Sequence, residues 1–569
     1  MIAKITPLTR LPSKVDSFDY FVPDELREKI QIGQLVIIPW RNKKTTGVVL
    51  SLQNKKSPPL PEGRIKVGKE KFRARPVTEI LHDRPVLTDQ QFKLIKKFSD
   101  YYFCSQGYVA RKIAPEPLRK SSKSGAILKF HEQINFSIRK NQISELKKAG
   151  TKITKKVEHI KIQDVSSFVW LILHLMKHAQ GQVLVLFPTI DMINAVASVV
   201  QKKCSTNFAI IHSELSKGNY WKEYQKILSN NAKIILSTRQ GVFLPIQKRG
   251  KIIFFESTSQ DFKQYDQHPR YDARVVASWV SDITDSDLIF ASASIWLNHK
   301  HTDLPPASDA RASIKLVDMK TEMQKKNFSI IADSTLDAIN GAIQNNRKVL
   351  IISLREQSDQ GVSVNKLAET LTNQIKNCKI ATKYGSNQDF NILVTTAYPL
   401  EALKLTQERR KFSLAVFSSI EPLLAIPDFR SGQRTFNRLN FWKIMCSELQ
   451  IKRIILQSYS PENLAVRAFA YGETDVFIKS EMQNRKQFNY PPFSQLIKLS
   501  YQGNIGYEFD RALKSLQPAL KNKAQILGPF KDKKNQQSLL LKVARHTDLS
   551  IICSLPHGWL VDRDPENVL

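Results

Sequence analysis

Glu256 is well placed for chemistry because it directly follows the apolar run Ile252–Phe255. Another apolar run, Ile234–Ser237, also ends in a polar loop, as buried parallel strands do. In proteins that hydrolyse nucleoside triphosphates, such a strand ends in an acidic pair. The first carboxylate holds hydrated Mg²⁺ and the second orients the attacking water. The first position is Phe255 here, and a phenylalanine cannot ligate a metal ion.

A phosphate-binding loop of the form G-x-x-x-x-G-K-[ST] is missing from the expected place. Its backbone N–H groups, lysine and hydroxyl would hold the phosphates and Mg²⁺. The segment 161–180, which precedes the apolar run GQVLVLFP, contains no glycine. One match to the pattern occurs at Gly63–Lys69, but Glu70 replaces the hydroxyl residue and no strand–helix unit is expected there. We interpret that match as chance.

Six short blocks in a fixed order connect the chain to a known family. They are FDYFVP (18–23), STRQGVFLP (237–245), PRYDAR (269–274), IPDFRSGQRTF (426–436), NYPPF (489–493) and VDRDP (561–565). Together they resemble the primosomal protein N′ (PriA) family of replication-restart helicases, over nearly the whole chain. The resemblance implies ATP and Mg²⁺ as cofactors, and a zinc module in the second motor lobe.

Measured against that family, the nucleotide site is degenerate. Val165 lies near the place of the catalytic lysine, and Phe255 takes the place of the metal-binding aspartate. The segment LNFWKIMCSEL (439–449) replaces an arginine-rich stretch that stabilises the transferring phosphate. Glu256 remains at the place of the general base, as a vestige. These replacements lead us to expect no ATP or Mg²⁺ site and no catalytic residue. The five cysteines form no CxxC pair, so we expect no zinc site either.

The fold class predicted is α/β and multidomain. Apolar runs alternate with helical patterns twice, which favours two parallel sheets. With the resemblance, this gives a β-rich N-terminal DNA-binding domain, two tandem RecA-like lobes of helicase superfamily 2 type, and a small α+β C-terminal domain. The expected limits are 1–118 (DNA 3′-end-binding-like), 119–160 (basic connector or reduced winged helix), 161–304 (first lobe), 305–465 (second lobe, zinc module lost) and 466–569 (C-terminal).

Composition indicates a polyanionic partner. Lysine and arginine total 86 against 52 acidic residues, a formal net charge of +34, which favours nucleic acid. A lysine-rich proteome or a solubilising surface is the alternative. The apolar run Phe168–Leu173 is far shorter than the ~18 residues of a membrane span, so no membrane partner is expected. We predict a cytoplasmic, nucleoid-associated protein whose cysteines are reduced thiols.

The first candidate DNA site is implied by the resemblance and lies in the N-terminal block. Phe18 would stack on the terminal base of a DNA strand and Asp19 would accept a hydrogen bond from its 3′-hydroxyl. Arg75 would hold a phosphate. Trp40 precedes Arg41, which stands where the family has glycine, so Arg41 either blocks the pocket or adds a phosphate contact. Core packing is the alternative role for Phe18.

The second candidate site is the loop 260–274, where aromatic and cationic residues alternate. Rings can stack on bases while cations neutralise phosphates, which suits single-stranded DNA. The alternative is a structural role on the sheet, and Arg239 is a weaker strand-end candidate. The loop residues are Phe262, Lys263, Tyr265, Arg270, Tyr271 and Arg274.

These features predict a PriA-like protein that binds single-stranded, double-stranded and forked DNA in replication restart without hydrolysing ATP. One alternative is an active ATP-dependent 3′–5′ helicase with a divergent nucleotide site. Another is an adaptor for single-stranded DNA-binding protein, alongside other primosome components as possible partners. A solvated basic face is the plain explanation of the cluster proposed for that adaptor role: Lys531, Lys533, Lys534, Lys542 and Arg545.

Overall fold

Four main sheets organise the chain in the computed structural model. Most of the predicted basic segment 119–160 lies outside the described residues, and only its residues 156–160 are described. The description covers the chain except residues 10–16, 42, 54–63, 68–69, 74, 116–155, 205–207, 295, 298, 300, 305–311, 326–328, 358–360, 384–388, 397–411, 502–506, 532–535, 545–546, 556–557, 567 and 569.

The N-terminal region is an antiparallel sheet of order β2-β1-β4-β3-β7, followed by two helices. Helix α1 begins with a capping box, in which Thr88 and Gln91 exchange side-chain and backbone hydrogen bonds. A separate antiparallel pair is formed by β5 and β6, and residues 64–67 of the chance phosphate-loop match form β5, whereas residues 63, 68 and 69 lie outside the described residues. The elements are β1 (Ile2–Pro7), β2 (Phe18–Phe21), β3 (Leu35–Trp40), β4 (Lys43–Gln53), β5 (Arg64–Val67), β6 (Glu70–Arg73), β7 (Glu79–Ile80), α1 (Asp89–Tyr102) and α2 (Gln106–Ile113).

The first lobe is a seven-stranded sheet of order β10-β11-β9-β12-β13-β8-β14, and its strand pairings are parallel. Apolar strands buried on both faces produce this arrangement, as predicted. Its elements are β8 (Val157–Lys161), α3 (Val165–His178), β9 (Val183–Leu186), α4 (Ile190–Cys204), β10 (Phe208–Ile211), α5 (Lys217–Leu228), β11 (Ile234–Ser237), β12 (Lys251–Phe255), α6 (Ala273–Thr284), β13 (Asp287–Ser292) and β14 (Thr302–Asp303).

The second lobe repeats the plan with a parallel sheet of order β15-β20-β19-β16-β18-β17. The two tandem parallel-sheet lobes expected from the sequence are therefore confirmed. The elements are β15 (Ser313–Asp318), α7 (Met319–Gln324), α8 (Asp333–Gln344), β16 (Lys348–Ser353), α9 (Val364–Gln374), β17 (Ile380–Ala381), β18 (Ile392–Thr396), β19 (Phe412–Phe417), α10 (Glu421–Leu424), α11 (Ser431–Glu448), β20 (Arg453–Ser458), α12 (Leu464–Tyr471) and α13 (Thr474–Gln487).

The C-terminal region is an antiparallel sheet of order β22-β23-β21-β24 with one helix packed on it, which confirms the expected small α+β unit. No helix among the described residues has the length and apolar character to cross a bilayer. The elements are β21 (Gln495–Tyr501), α14 (Tyr507–Ala519), β22 (Ala524–Lys531), β23 (Gln537–Val543) and β24 (Trp559–Arg563).

One apolar core runs through both lobes. It joins Phe168 and Phe255 of the first lobe to Trp442 and Met445 of α11 in the second, and all four side chains are at most 4% exposed. Burial of large apolar side chains is worth roughly 1.5–3 kcal/mol each. The facing surfaces of the two lobes are therefore held together by a hydrophobic contact.

Candidate nucleic-acid interface and interlobe site

The connection from β8 to α3 occupies the place where a nucleotide-binding lobe carries its phosphate loop. It consists of residues 162–164, with the sequence IQD. Asp164 is the N-cap of α3, and its Oδ1 accepts a hydrogen bond of 2.7 Å from the backbone N–H of Ser167. A short, glycine-free connection of this kind cannot wrap a phosphate with successive N–H groups.

The remaining N–H groups at the start of α3 bind a carboxylate from the other lobe. Oε1 of Glu448 accepts from the N–H of Val165 at 2.7 Å and from that of Ser166 at 3.3 Å. Glu448 ends α11 and is only 6% exposed. A helix N-terminus favours a negative charge, since its N–H groups and its dipole both point toward it. A glutamate therefore lies where a phosphate would bind.

Apolar side chains fill the space around this contact. Val165 is the first residue of α3 and is 2% exposed, while Phe255 packs on Phe168 and Phe187 with ring-centroid distances of 4.4 and 5.7 Å. The position expected to bind Mg²⁺ is thus part of the hydrophobic core. This packing gives neither a lysine for phosphates nor an oxygen ligand for a metal ion.

Glu256 is buried at the end of β12, with a left-handed φ of 50°. Its Oε1 accepts a 2.8 Å hydrogen bond from the N–H of Ala293, next to the end of β13. Burial raises the pKa of Glu256 to about 8, although this hydrogen bond and nearby Arg438 of α11 act in the opposite direction. Glu256 therefore joins two strand ends and carries its proton for much of the time at neutral pH.

Two residues of the loop 260–274 that were predicted to contact DNA are buried, which corrects that prediction. Phe262 is fully buried and packs edge-on against Phe254 at 4.8 Å. Lys263 is also fully buried, and its Nζ lies 2.9 Å from Oδ1 of Asp562 in the C-terminal strand β24. It donates as well to the carbonyl oxygens of Arg270 and Arg563. Phe262 is thus part of the core of the first lobe and Lys263 joins that lobe to the C-terminal sheet, so neither is available to a strand of DNA.

Arg270, Tyr271 and Arg274 are likewise committed to internal contacts, which corrects their predicted role. Arg270 pairs with Asp562 at 3.3 Å, and Tyr271, which is 8% exposed, packs on Phe243 at 5.0 Å. The guanidinium of Arg274 binds both carboxylate oxygens of Asp272, at 2.9 and 2.7 Å. The structural alternative considered for this loop therefore applies to these residues.

Tyr265 and Arg239 keep accessible surface. Tyr265 is 58% exposed at the tip of the loop. Arg239 follows β11, and its guanidinium donates to Oε1 of Gln264 at 2.9 Å and to the carbonyl of Asp261 at 3.2 Å. It lines a cavity of about 480 Å³ at the carboxyl edge of the first-lobe sheet, together with Lys112 from α2.

The N-terminal candidate residues do come together. The rings of Phe18 and Trp40 lie 4.6 Å apart, and both side chains line a pocket of about 300 Å³ with Asp19, Arg41 and Arg75. Strand β1 lies between β2 and β4, while a bridge between Phe21 and Pro76 brings the later segment alongside. Residues 57 positions apart in sequence, Phe18 and Arg75, thus share one pocket.

The structure describes only two residues of the basic cluster proposed for a protein partner, Lys531 and Lys542. Lys531 is exposed, whereas Lys533, Lys534 and Arg545 lie outside the described residues. The predicted role of Lys542 in partner binding is corrected, because its side chain is buried, with 7% exposed. It donates to the carbonyl of Phe488 at 2.9 Å and lies over the ring of Tyr490, 3.7 Å from the ring centroid. Burial lowers its pKa. Within the described residues no group of three or more His, Cys, Asp or Glu could hold a metal ion.

An N-terminal β-rich domain and two tandem parallel α/β lobes, joined to a C-terminal α+β unit, define a multidomain α/β class of protein. A model of the PriA 3′DNA-binding domain matches residues 10–115. Over most of its length the chain is similar to proteins named replication restart protein PriA. It is 23% identical to replication restart protein PriA of Rickettsia prowazekii (strain Madrid E), covering 94% of this chain and 91% of that protein.

Further similarities are more distant or shorter. Replication restart protein PriA of Synechocystis is 22% identical over 62% of this chain and 53% of its own length. Among solved structures, the Hef helicase domain of Pyrococcus furiosus is 12% identical, with a TM-score of 0.34, and the match covers 60% of this chain and 99% of that one.

Proposed function

We propose that this protein recognises forked or primer-end DNA in replication restart and does so without hydrolysing ATP. The observation that carries the proposal is the carboxylate of Glu448 on the N-terminus of α3. A triphosphate would need the same N–H groups, and two anions cannot share one such site without strong repulsion. The position of Glu448 on these N–H groups therefore supports a function without nucleotide.

The surroundings of Glu448 support the same conclusion. Phosphoryl transfer depends on cations around the phosphate and on a bound metal ion. Here Phe255, Trp442 and Met445 form a continuous core across the two lobes. An active motor with a divergent site would have to expel Glu448 and expose this core before each turnover.

DNA binding is supported by three independent features. The net charge of +34 gives a salt-dependent attraction to any phosphate backbone. The pocket between Phe18 and Trp40 offers aromatic rings for a base and the exposed charged side chains of its rim for a strand end. The family model matched by residues 10–115 describes a 3′DNA-binding domain.

The test is ATP hydrolysis by the full-length protein with saturating forked DNA that carries a free 3′ end, while fluorescence anisotropy follows occupancy in the same tube. We expect the fork to be bound and ATP turnover to equal the background. Turnover that disappears in a Glu256→Gln variant would show that a nucleotide site exists and would overturn the proposal. If the protein binds the fork no more tightly than duplex DNA at 150 mM salt, the proposed recognition of DNA ends is wrong.

A further inference from the structure

Four of the six sequence blocks meet in one joint near the end of the chain. The segment DRDPE, residues 562–566, begins at the end of β24 and continues past it, and we call it the strap. The block 269–274 reaches the strap through Arg270 and the block 426–436 through Arg430. Tyr490 of the block 489–493 stacks on Phe429, next to Arg430. Neither DNA binding nor the nucleotide position accounts for this convergence.

One end of the strap is bound to the first lobe and to the N-terminal helix α1. Asp562 lies 2.9 Å from Nζ of Lys263 and 3.3 Å from the guanidinium of Arg270. Arg563 donates a 2.8 Å hydrogen bond to the carbonyl oxygen of Tyr101. The side chains of Lys263 and Asp562 are only 1% and 7% exposed, so salt screens this pair weakly. This end is a buried anchor.

The other end of the strap is bound to the second lobe, at the start of α11. Arg430, the N-cap of α11, donates to the carbonyl oxygen of Pro565 at 2.8 Å. Arg434 donates to the carbonyl oxygen of Glu566 at 2.7 Å and to its Oε2 at 2.6 Å. The guanidinium group presents several donors in a fixed plane, which makes such a contact strong and directional. The strap therefore holds the N-terminal end of α11.

Helix α11 is thus tied to the first lobe at both of its ends. Glu448, at its C-terminal end, accepts from the N–H groups of Val165 and Ser166 directly. Arg434 is tied to the same lobe through the strap, ~21 Å away along the helix at ~1.5 Å per residue. A body held at one point can turn about it, whereas two separated points fix its direction. The Glu448 contact keeps the lobes together, and the strap decides how they are oriented.

We propose that the strap is a releasable clasp that sets the orientation of the second lobe on the first. When its links to α11 break, the second lobe turns about the apolar contact between α3 and α11 while that contact persists. The side chains of Arg434 and Glu566 are 13% and 15% exposed, so charge and ionic strength act on this end before they act on the Asp562 anchor. The inference does not rest on the proposed function, because it concerns the arrangement of the lobes with or without nucleotide.

The test is single-molecule energy transfer between fluorophores in the two lobes of the full-length protein. They are introduced as unnatural amino acids at the exposed positions Lys222 and Asp337, and the wild type is compared with Glu566→Lys. We expect one transfer efficiency in the wild type and a second population in the variant. The ratio of turned to closed molecules should rise at least about tenfold, because the reversed charge faces Arg434 and Arg430. A variant with the wild-type distribution would overturn the proposal.

The matched control is Glu462→Lys, the same charge change at an exposed glutamate that pairs with Lys320 in the second lobe. It should keep a single population. Glu566→Gln removes the charge and retains both carbonyl links, so its second population should be smaller than that of Glu566→Lys. If circular dichroism shows that Glu566→Lys does not fold, Glu566→Gln decides the question, and a single population in it would overturn the proposal.

A second fluorophore pair tests the anchored end of the strap. It joins Lys222 of the first lobe to the exposed Lys514 of α14 in the C-terminal unit. Glu566→Lys should leave the transfer efficiency of this pair unchanged, because the contacts of Asp562 are intact. Equal broadening of both pairs would show that the C-terminal unit leaves the first lobe together with the second, which contradicts a clasp that opens at α11.

Discussion

Glu448 contributes to the structure by accepting two backbone hydrogen bonds from the other lobe. Its Oε1 accepts from both Val165 and Ser166 at the first turn of α3. Buried N–H groups that lose their acceptor bear the full cost of desolvation. The charge of Glu448 is also stabilised by the helix dipole. One carboxylate thus fixes the position of α11 on α3.

We predict that Glu448→Ala lowers the free energy of unfolding by about 1–3 kcal/mol, because two buried donors are left unsatisfied. Glu448→Gln should cost less, since an amide oxygen still accepts the bonds. Urea denaturation at pH 7 measures both variants. The matched control is Glu462→Ala, which removes an exposed glutamate that pairs with Lys320 and should leave the denaturation midpoint unchanged. Equal midpoints for all variants would contradict the proposed contact.

Glu256 predicts a pH dependence of stability. Its pKa is about 8 in the folded chain against 4.5 for an ordinary glutamate. The folded state therefore binds more protons than the unfolded state between these values, and stability falls as pH rises from about 4.5 to 8. Glu256→Gln imitates the protonated form, so its stability should decline less across that window. Unfolding midpoints at pH 5, 6.5 and 8 measure the slope, and parallel curves for variant and wild type would refute the assignment.

At the scale of elements, the loop 260–274 joins the first lobe to the C-terminal sheet. Asp562 of β24 receives Lys263 at 2.9 Å and Arg270 at 3.3 Å. Nearby, the guanidinium of Arg563 lies 3.7 Å from the ring centroid of Tyr101 in α1. The loop therefore positions β24 against two other regions of the chain.

Asp562→Asn should destabilise this joint by about 3 kcal/mol, because the buried charge of Lys263 would lose its ion pair at 2.9 Å. Thermal unfolding followed by circular dichroism measures the loss. Affinity for a 3′-ended fork should stay within about twofold, as the loop cations are not DNA ligands in this structure. Asp564→Asn removes a second buried carboxylate that interacts with Lys263 but keeps the 2.9 Å ion pair, so it serves as the comparison for the ion pair itself. A large loss of fork affinity without loss of stability would restore the DNA role of the loop.

Strands and helices could be predicted from the sequence more readily than the contacts between distant side chains. Ile234–Ser237 and Lys251–Phe255 are strands because uninterrupted apolar runs are typical of buried parallel sheets. Strand β8 was missed because its sequence, VEHIK, alternates polar and apolar residues. The pairing of Lys263 with Asp562 could not be predicted, since nothing local distinguishes a cation facing DNA from one facing a carboxylate 299 positions later. Glu448 was missed for the same reason.

For the whole molecule, the distribution of apolar surface decides how the two lobes behave. Val165, Phe255 and Trp442 belong to one core that spans the interface between lobes. A motor opens and closes such an interface with each nucleotide, which requires two states of similar free energy. A shared apolar core, together with the Glu448 contact, favours a single closed arrangement.

We therefore predict that the distance between the lobes does not change with nucleotide. Fluorophores placed by unnatural amino acids at the exposed positions Lys222 and Asp337 should show one transfer efficiency, with or without MgATP. Replacing Trp442 and Glu448 together by alanine should broaden the distribution, because both the packing and the carboxylate contact are lost. A second population that appears only with MgATP in the wild-type protein would contradict the closed arrangement.

The carboxylate seated on α3 also has a consequence for how long the protein stays on DNA. Under the proposed function, Glu448 occupies the phosphate position of α3, so the protein does not use nucleotide hydrolysis to leave DNA as a motor does. Its departure from a fork is then governed by thermal dissociation, by ionic strength and by rivals for the same strand end. Whatever takes over the fork must displace it.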